Sequence, residues 1–400
     1  MKLHYLAIAF IFFSILHKGN SQIVASSDFH TVTSADIKVG AERMNLYLAE
    51  LQGKKVALVI NRASLVKKRL LADTLLSLGI KIVKIFTPEH GLNEQVDAGA
   101  PVNNQKYKNI PVISLYGKHY QPTAEDLNNV DIMVYDLQDV GVRFFTYVST
   151  LHYVMEACAE NNKELVILDT PDPNGFYVDG PVLQPQFKSF VGVDPVPVVY
   201  GMTPAEYARM VNGEKWLKEG KQCTLLCIPV AGYSHKDLYQ LPVKPSPNLP
   251  TMAAVYLYPS LALFEGTAIS VGRGTKTPFE VIGAPGLQNA PYSFTPQSMP
   301  GATDPPYEGK KCAGYDLSNF GKILMKNYQK LYLFWLKGTF KNYPDKTKFF
   351  NSYFAKLAGT GELEKQIENG TPDEVIHKSW EPALGNFKKI RKRYLLYQDF

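Results

Sequence analysis

Residues 55–86 read KVALVINRASLVKKRLLADTLLSLGIKIVKIF, and this stretch decides the fold class. It opens on a solid aliphatic run, Lys55-Val-Ala-Leu-Val-Ile60, and closes on another, Lys81-Ile-Val-Lys-Ile-Phe86. Runs with no alternating polar face suit strands buried on both sides, as in a parallel sheet covered by helices. Between them Leu65, Leu70, Leu71, Leu75, Leu76 and Leu78 form a broad stripe, which predicts a helix over 65–78 ended by Gly79. The unit reads strand, helix, strand.

The same alternation continues outward. Val112-Ile-Ser-Leu115, Asp131-Ile-Met-Val-Tyr135, Leu165-Val-Ile-Leu168 and residues 223–229 read as further strands. Helices are expected around 123–129 and 145–161. Another begins at Thr203-Pro204-Ala205-Glu206, with Thr203 as N-cap, Pro204 at the first helical position and Glu206 closing a capping box. This predicts an α/β, Rossmann-like, doubly wound and mostly parallel sheet over residues 22–240. The alternation stops near residue 235, and Lys244-Pro-Ser-Pro-Asn-Leu-Pro250 reads as a rigid, extended linker. Residues 241–400 read as a smaller α+β auxiliary domain: a helix near 253–264, a glycine-rich stretch at 271–285, and a C-terminal helix. That last helix presents Trp380, Leu384, Phe387, Ile390 and Tyr394 on one buried face, with Lys388-Lys389-Ile390-Arg391-Lys392-Arg393 mostly on its solvated side.

Composition excludes several classes. Of 400 residues, 45% are hydrophobic and 20% charged, the range of a folded globular chain and not of a disordered or fibrous one. The formal charge, 43 − 37 = +6, is too small an excess to argue for nucleic acid. The 24 tyrosines suit flat, polar ligands such as sugars, and equally suit large cores. Lys2, the apolar run from Tyr5 to Leu16 and the small-residue site Gly19-Asn20-Ser21 read as a secretory signal peptide over residues 1–21. The expectation is therefore an exported protein, periplasmic or secreted, with no stable membrane span after signal cleavage. Cys158, Cys223, Cys227 and Cys312 make no dense disulfide framework and are expected to be mostly buried thiols.

In an open α/β sheet ligands bind at the carboxyl ends of the strands. Asn61-Arg62 follow the first strand, and Thr87-Pro88-Glu89-His90-Gly91 the second. Asp136, Gln138 and Asp139 follow the fourth, with Arg143 and Tyr147 entering the next helix, and Asp169 to Gly175 follow the fifth. Asp172-Pro173-Asn174-Gly175 has strong turn chemistry. Glu89, beside an imidazole in a loop too long for a simple connection, is a candidate for general acid/base work. Two other readings fail. The first strand–helix turn, Asn61-Arg62-Ala63-Ser64, lacks the glycines of a dinucleotide site, so no nicotinamide cofactor is expected. Gly272-Arg273-Gly274-Thr275-Lys276-Thr277 lacks the spacing of a phosphate-binding loop; it offers Arg273, with Glu265 and Glu280 near in sequence. His30, His90, His119, His152, His235 and His377 show no metal-ligand spacing, so no metal is expected.

Taken together and in order, these residues resemble a known family. The carriers are Gly40-Ala-Glu42, Leu51-x-Gly53 running into Val56 to Asn61, and Thr87-Pro88-Glu89-His90-Gly91. They continue with Asp136-Leu-Gln138-Asp139-Val-Gly141-x-Arg143-Phe-x-Thr146-Tyr147, Asp169-x-Pro171-x-Pro173-x-Gly175 and Gly201-Met-Thr203-Pro204-x-Glu206. Glu265-Gly-Thr267, Gly272-Arg273-Gly274, Pro278-Phe279, Ile282 to Pro285 and the ending Trp380 to Tyr394 complete the set. Residues 38–398 are similar to the exo-β-N-acetylmuramidase family, long described only as a domain of unknown function. The resemblance implies a Rossmann-like catalytic domain, an auxiliary domain closing a cleft against it, and release of N-acetylmuramic acid (MurNAc) from non-reducing ends of peptidoglycan fragments. It also implies that Glu89 is a catalytic carboxylate.

Placement supplies the other expectations. Glycoside hydrolysis needs an acid for the leaving oxygen and a second group on the other face of the sugar. Glu89 is the acid. Asp136, Asp139 or Asp169 is its partner, unless the substrate's 2-acetamido group serves, and His90 and Tyr147 support either role. Arg62, Arg143 and Arg273 are candidates to clamp the lactyl carboxylate. Asn61, Tyr147 and Glu265 complete the expected substrate contacts. The rival readings are a deacetylase or esterase acting on the cell wall, and a muropeptide- or saccharide-binding protein without catalysis. The first lacks both a metal-site pattern and a G-x-S-x-G elbow. The acid-rich strand ends argue weakly against the second.

Overall fold

A computed structural model describes residues 30–92, 105–117, 119–323 and 328–400; the signal peptide expected over residues 1–21 lies outside them. Six parallel strands form the central sheet: β1 (Lys55–Ile60), β2 (Lys81–Thr87), β3 (Ile110–Ser114), β4 (Ile132–Asp136), β5 (Glu164–Leu168) and β6 (Thr224–Ile228). They lie in the order 3-2-1-4-5-6, and Gln105–Tyr107 pairs antiparallel to β3 at one edge. This is the doubly wound order, with its switch point between β1 and β4.

The solid apolar runs are explained by burial on both faces. Ala57 and Val59 of β1 and Met133 and Tyr135 of β4 enter one hydrophobic cluster; Val56, Leu58, Ile60, Ile132 and Val134 enter another. Successive side chains of a strand point to opposite faces, so both faces must be apolar when each carries its own core.

The leucine-rich stretch after β1 departs from the sequence expectation. Leu65–Val66 and Arg69–Leu70 form a small hairpin, with Leu65 opposite Leu70, and only α1 (Leu71–Ser77) is helical. Lys67 turns the chain at φ 58°, and the Leu71 amide donates to the Ser64 carbonyl at 2.9 Å. The stripe cannot distinguish the two arrangements, because Leu65 and Leu70 are buried equally well by pairing across a hairpin. The stop is as expected. Gly79 takes φ 79°; its amide donates to Leu76 and that of Ile80 to Leu75, a Schellman closure.

Helices α2 (Ala124–Leu127), α3 (Tyr147–Glu160) and α4 (Pro204–Gly213) follow. Thr203 and Glu206 form the expected capping box. The second half holds α5 (Met252–Leu261), an antiparallel sheet of β7 (Val281–Ala284), β8 (Tyr292–Phe294) and β9 (Cys312–Asp316) in the order 7-9-8, and α6 (Asp373–Arg391). Residues 253–261 of α5 are buried all round, as an apolar helix inside a core must be. Pro259 has no amide to give the carbonyl four residues earlier. That carbonyl, of Val255, accepts instead from Asn174 Nδ2 at 3.2 Å, which ties the second half to the β5 loop. One hydrophobic cluster runs from Ala57 and Val59 through Phe264 to Trp380 and Phe387, so both halves share a core.

Residues 244–250 form neither helix nor strand, and within them Ser246, Asn248 and Leu249 are buried. Arg391 is not on a solvated face. It is buried, donating from Nε to the Gly201 carbonyl at 2.7 Å and pairing with Asp399 at 2.8 Å. Trp380, Leu384 and Phe387 are buried as expected, Ile390 and Tyr394 half-buried. All four cysteines are free, with Cys158, Cys223 and Cys312 buried.

Candidate active site

A cleft lined from both halves of the chain opens beyond the carboxyl end of β2. Its volume is about 820 Å³, open mouth included. One wall is Glu89, His90, Tyr116 and residues 144–147 at the entry of α3; the other is Ser246, Asn248, Leu249, Tyr258, Glu265, Arg273, Phe279 and Tyr353. Each half of the chain therefore supplies one side.

The Glu89 loop is held in an uncommon shape. His90 and Gly91 both take φ 72°, and the Gly91 amide donates to the Pro88 carbonyl at 3.1 Å. A left-handed histidine is sparsely populated backbone, the kind that persists where surrounding structure over-determines it. His90 is buried, its Nε2 3.4 Å from Ser246 Oγ. Glu89 is half-buried. Thr146 donates to its Oε2 at 3.0 Å, and the Tyr116 hydroxyl also hydrogen-bonds to it. Burial first, then the charge of Glu89, holds the Tyr116 hydroxyl well above its ordinary pKa, so it remains a donor.

Arg273 faces the same cavity. Its Nε donates to Glu265 at 2.8 Å and its guanidinium lies 5.2 Å from the Phe279 ring centre. Burial works against its charge, but Glu265 beside it more than offsets that, and the guanidinium stays charged. Nη1 is buried and has no hydrogen-bond partner among the described residues. A buried charged donor without a partner is costly.

The other acids expected here are elsewhere. Asp139 is buried beneath the sheet end, accepting from the Tyr200 hydroxyl and, at 2.8 Å, from the Gly141 amide. Asp169 is buried too, accepting from Thr203 Oγ1 at 2.7 Å, the Ala205 amide at 2.9 Å and the Tyr397 hydroxyl at 2.5 Å. It fastens the start of α4 and the C-terminal tail to the sheet. Asp136 lines a different cavity with Gln138, Thr170 and Glu42, and its Oδ2 has no partner among the described residues. Burial is the leading cause that pushes Asp136 up to about 8, Asp139 to about 6 and Asp169 to about 7. None of the three lines the cleft. Asp172 does what its turn chemistry implies, accepting from the Asn174 amide at 2.8 Å.

Arg143 also leaves the list of carboxylate clamps. It is 1% exposed, and its two terminal nitrogens donate to the carbonyls of Pro181, Val196, Leu357 and Ala358 at 2.8–2.9 Å. A Cβ on Gly359 would come within 2.6 Å of it, so a glycine at φ 75° is needed there. Arg62 is half-buried and does not line the cleft. Asn61 is one layer behind, donating to the Tyr147 hydroxyl at 3.0 Å, while Tyr147 itself lines the cleft.

Glu89, His90, Tyr147, Glu265 and Arg273 thus come together as expected. Tyr116 and Thr146, which orient Glu89, were missed. Tyr116 follows β3, so the carboxyl-end rule applied to that strand too would have found it. Ser246 and Asn248 carried no signal, since their prolines read as a spacer. Among the described residues no group of three or more His, Cys, Asp or Glu side chains is arranged to hold a metal.

Comparison with known proteins gives a concordant result. Residues 56–253 match the family description "Exo-beta-N-acetylmuramidase NamZ, N-terminal" and residues 256–397 its C-terminal counterpart. The chain is 38% identical over 372 residues to the peptidoglycan beta-N-acetylmuramidase NamZ of Bacillus subtilis (strain 168), covering 88% of this chain and 89% of that protein. Two crystal structures of DUF1343 family proteins from Bacteroides fragilis NCTC 9343 are similar. One is 41% identical with a TM-score of 0.84, covering 91% of this chain and 100% of that one. The other is 28% identical with a TM-score of 0.76, covering 91% and 99%.

Proposed function

The chain belongs to the exo-β-N-acetylmuramidase NamZ family, and from that premise we propose that it is a glycosidase releasing MurNAc from the non-reducing ends of β-1,4-linked MurNAc–N-acetylglucosamine (GlcNAc) fragments of peptidoglycan. The observation that carries this reading is one cavity holding Glu89, fixed by Thr146 and Tyr116, together with the unpartnered Nη1 of Arg273.

In this reading Glu89 protonates the glycosidic oxygen as the bond to the leaving GlcNAc breaks, and a water adds its oxygen to the anomeric carbon of MurNAc, losing the proton that restores the acid. Two hydroxyl donors keep the carboxyl from rotating away, which is what positions a general acid. Arg273 receives the lactyl carboxylate that distinguishes MurNAc from GlcNAc, and Glu265, bonded to its Nε, aims the free edge of the guanidinium into the cleft. Glu265 is also the other carboxylate that lines the cleft among the described residues. Phe144, Phe145, Tyr258 and Phe279 give the inner end apolar walls.

The same reading takes residues 1–21 as an export signal and places the enzyme in the periplasm or outside the cell, where its substrate lies. N-terminal sequencing of the mature protein then begins at or near Gln22, and a mature chain starting at Met1 refutes it. The activity itself is tested by incubating the purified protein with MurNAc-GlcNAc and following products by mass spectrometry. Equal amounts of free MurNAc and GlcNAc are expected; unchanged disaccharide, bound but intact, identifies a saccharide-binding protein instead.

A further inference from the structure

Tyr116, hydrogen-bonded to Glu89, lines the cleft, and next to it lie aromatic rings that take no part in the chemistry above. The rings of Phe190 and Tyr120 lie 5.6 and 5.9 Å from that of Tyr116, and Val191, next to Phe190 in the chain, also lines the cleft. Tyr120 and Phe190 stack on each other at 4.1 Å with planes 25° apart, and Tyr153 backs Phe190 at 6.2 Å and 11°. Tyr120 is 38% exposed, and so is Tyr353, which lines the cleft from the second half of the chain. Two segments, after β3 and around residue 190, thus bring rings together beside Tyr116, and Tyr353 lines the same cleft as Tyr116.

We propose that Tyr120, seated on Phe190, and Tyr353 form the binding site for the saccharide on the leaving side of the scissile bond, stacking against the apolar face of its GlcNAc ring. This rests on the glycosidase reading. With Arg273 holding MurNAc and Glu89 at the glycosidic oxygen, the next sugar sits on the far side of Glu89 from MurNAc. Beside Glu89, packed on the Tyr116 that bonds to it, the Tyr120–Phe190 stack offers that sugar an exposed flat ring. A pyranose presents a face of C–H bonds, and a flat ring that is already stacked covers that face without losing rotamer freedom on binding. Such a platform does not read ring substituents, which suits fragments of differing length.

The test uses the full-length mature chain carrying Glu89→Gln, so that ligands bind without turnover, with titration calorimetry of MurNAc-GlcNAc and of MurNAc alone. Adding Tyr120→Ala or Phe190→Leu weakens MurNAc-GlcNAc by roughly 2- to 12-fold, the scale of one ring contact, and leaves MurNAc unchanged. Tyr120→Phe, which keeps the ring, binds as the parent does. Undiminished disaccharide affinity in both variants, or an equal loss for MurNAc, overturns the platform. Wild-type turnover of MurNAc-GlcNAc is measured alongside. Release of MurNAc together with undiminished binding in the variants refutes the platform alone, whereas no release refutes the glycosidase reading and the platform with it.

Discussion

The loop at residues 88–91 and the segment at residues 136–143 look alike in the sequence. Each follows a strand of the same sheet and offers carboxylates beside other polar groups. In the structure they do opposite work. Glu89 reaches a cleft open to solvent and takes its partners from two hydroxyl side chains, Thr146 and Tyr116. Asp139 and Arg143 are spent on the scaffold, and Asp136 faces a separate cavity at the switch point, lined also by Ala63 and Leu65. The difference teaches that a polar strand end becomes chemistry only when a second layer of the protein arches over it. Over β2 that layer is the second half of the chain; over Asp139 and Arg143 the chain packs down directly.

The sharpest way to break this comparison is Glu89→Gln. General acids contribute about 10²–10⁴ in rate, so kcat on MurNAc-GlcNAc falls by that factor while thermal unfolding is unchanged. The fall shrinks for an aryl glycoside, whose leaving group needs little protonation. Near wild-type turnover would remove Glu89 from the mechanism.

Arg143→Ala gives the opposite result. It strips four buried carbonyls of a charged donor, a loss of about 3–5 kcal/mol on the scale for breaking a buried charged network. The unfolding midpoint drops, and turnover per folded molecule stays near wild type. A variant of normal stability that has lost selectivity for MurNAc would return Arg143 to the substrate.

Asp136→Asn tests the other cavity. Burial moves the folded-state pKa from 3.8 up to about 8. A group raised in this way adds its full relative stability below about pH 4 and loses it as the pH climbs to about 8, because the unfolded chain ionises first. Asn cannot ionise, so the variant is more stable than wild type by on the order of 2–5 kcal/mol at pH 8. The advantage fades toward pH 4, as thermal melts at the two pH values will show. No gain at pH 8 would mean that Asp136 has a partner in solution.

Arg273→Ala is the mildest of the four. It weakens MurNAc ligands by roughly 10- to 150-fold relative to GlcNAc-only analogues, the worth of a charge-assisted hydrogen bond. Equal loss for both sugars would place the lactyl carboxylate elsewhere.

Much of this molecule was legible before any coordinates. Strands whose residues are apolar at every position announce a sheet covered on both faces, and Gly79, Thr203 and Glu206 mark helix ends by local hydrogen bonds. The Glu89 loop stood out by its length. The hairpin at residues 65–70 was not legible, because a leucine stripe buries equally well in either arrangement. Nor were Ser246 and Asn248, whose prolines describe backbone stiffness and not where the chain is laid.

What the sequence determined by itself, then, is most of what depends on neighbours within a few residues, the hairpin at residues 65–70 excepted: the succession of sheet strands and covering helices, the caps, the turn after β1 without glycines and the identity of the acids at each strand end. Which acid remains available for chemistry was decided by tertiary structure. Asp139, Asp169 and Glu89 carry the same functional group. Hydroxyl donors 34 to 228 positions away help hold the first two in buried sites, while the third is left at the edge of a cavity that the folded second half helps to line. Desolvation and partner geometry depend on that distant chain, and no local spacing encodes them.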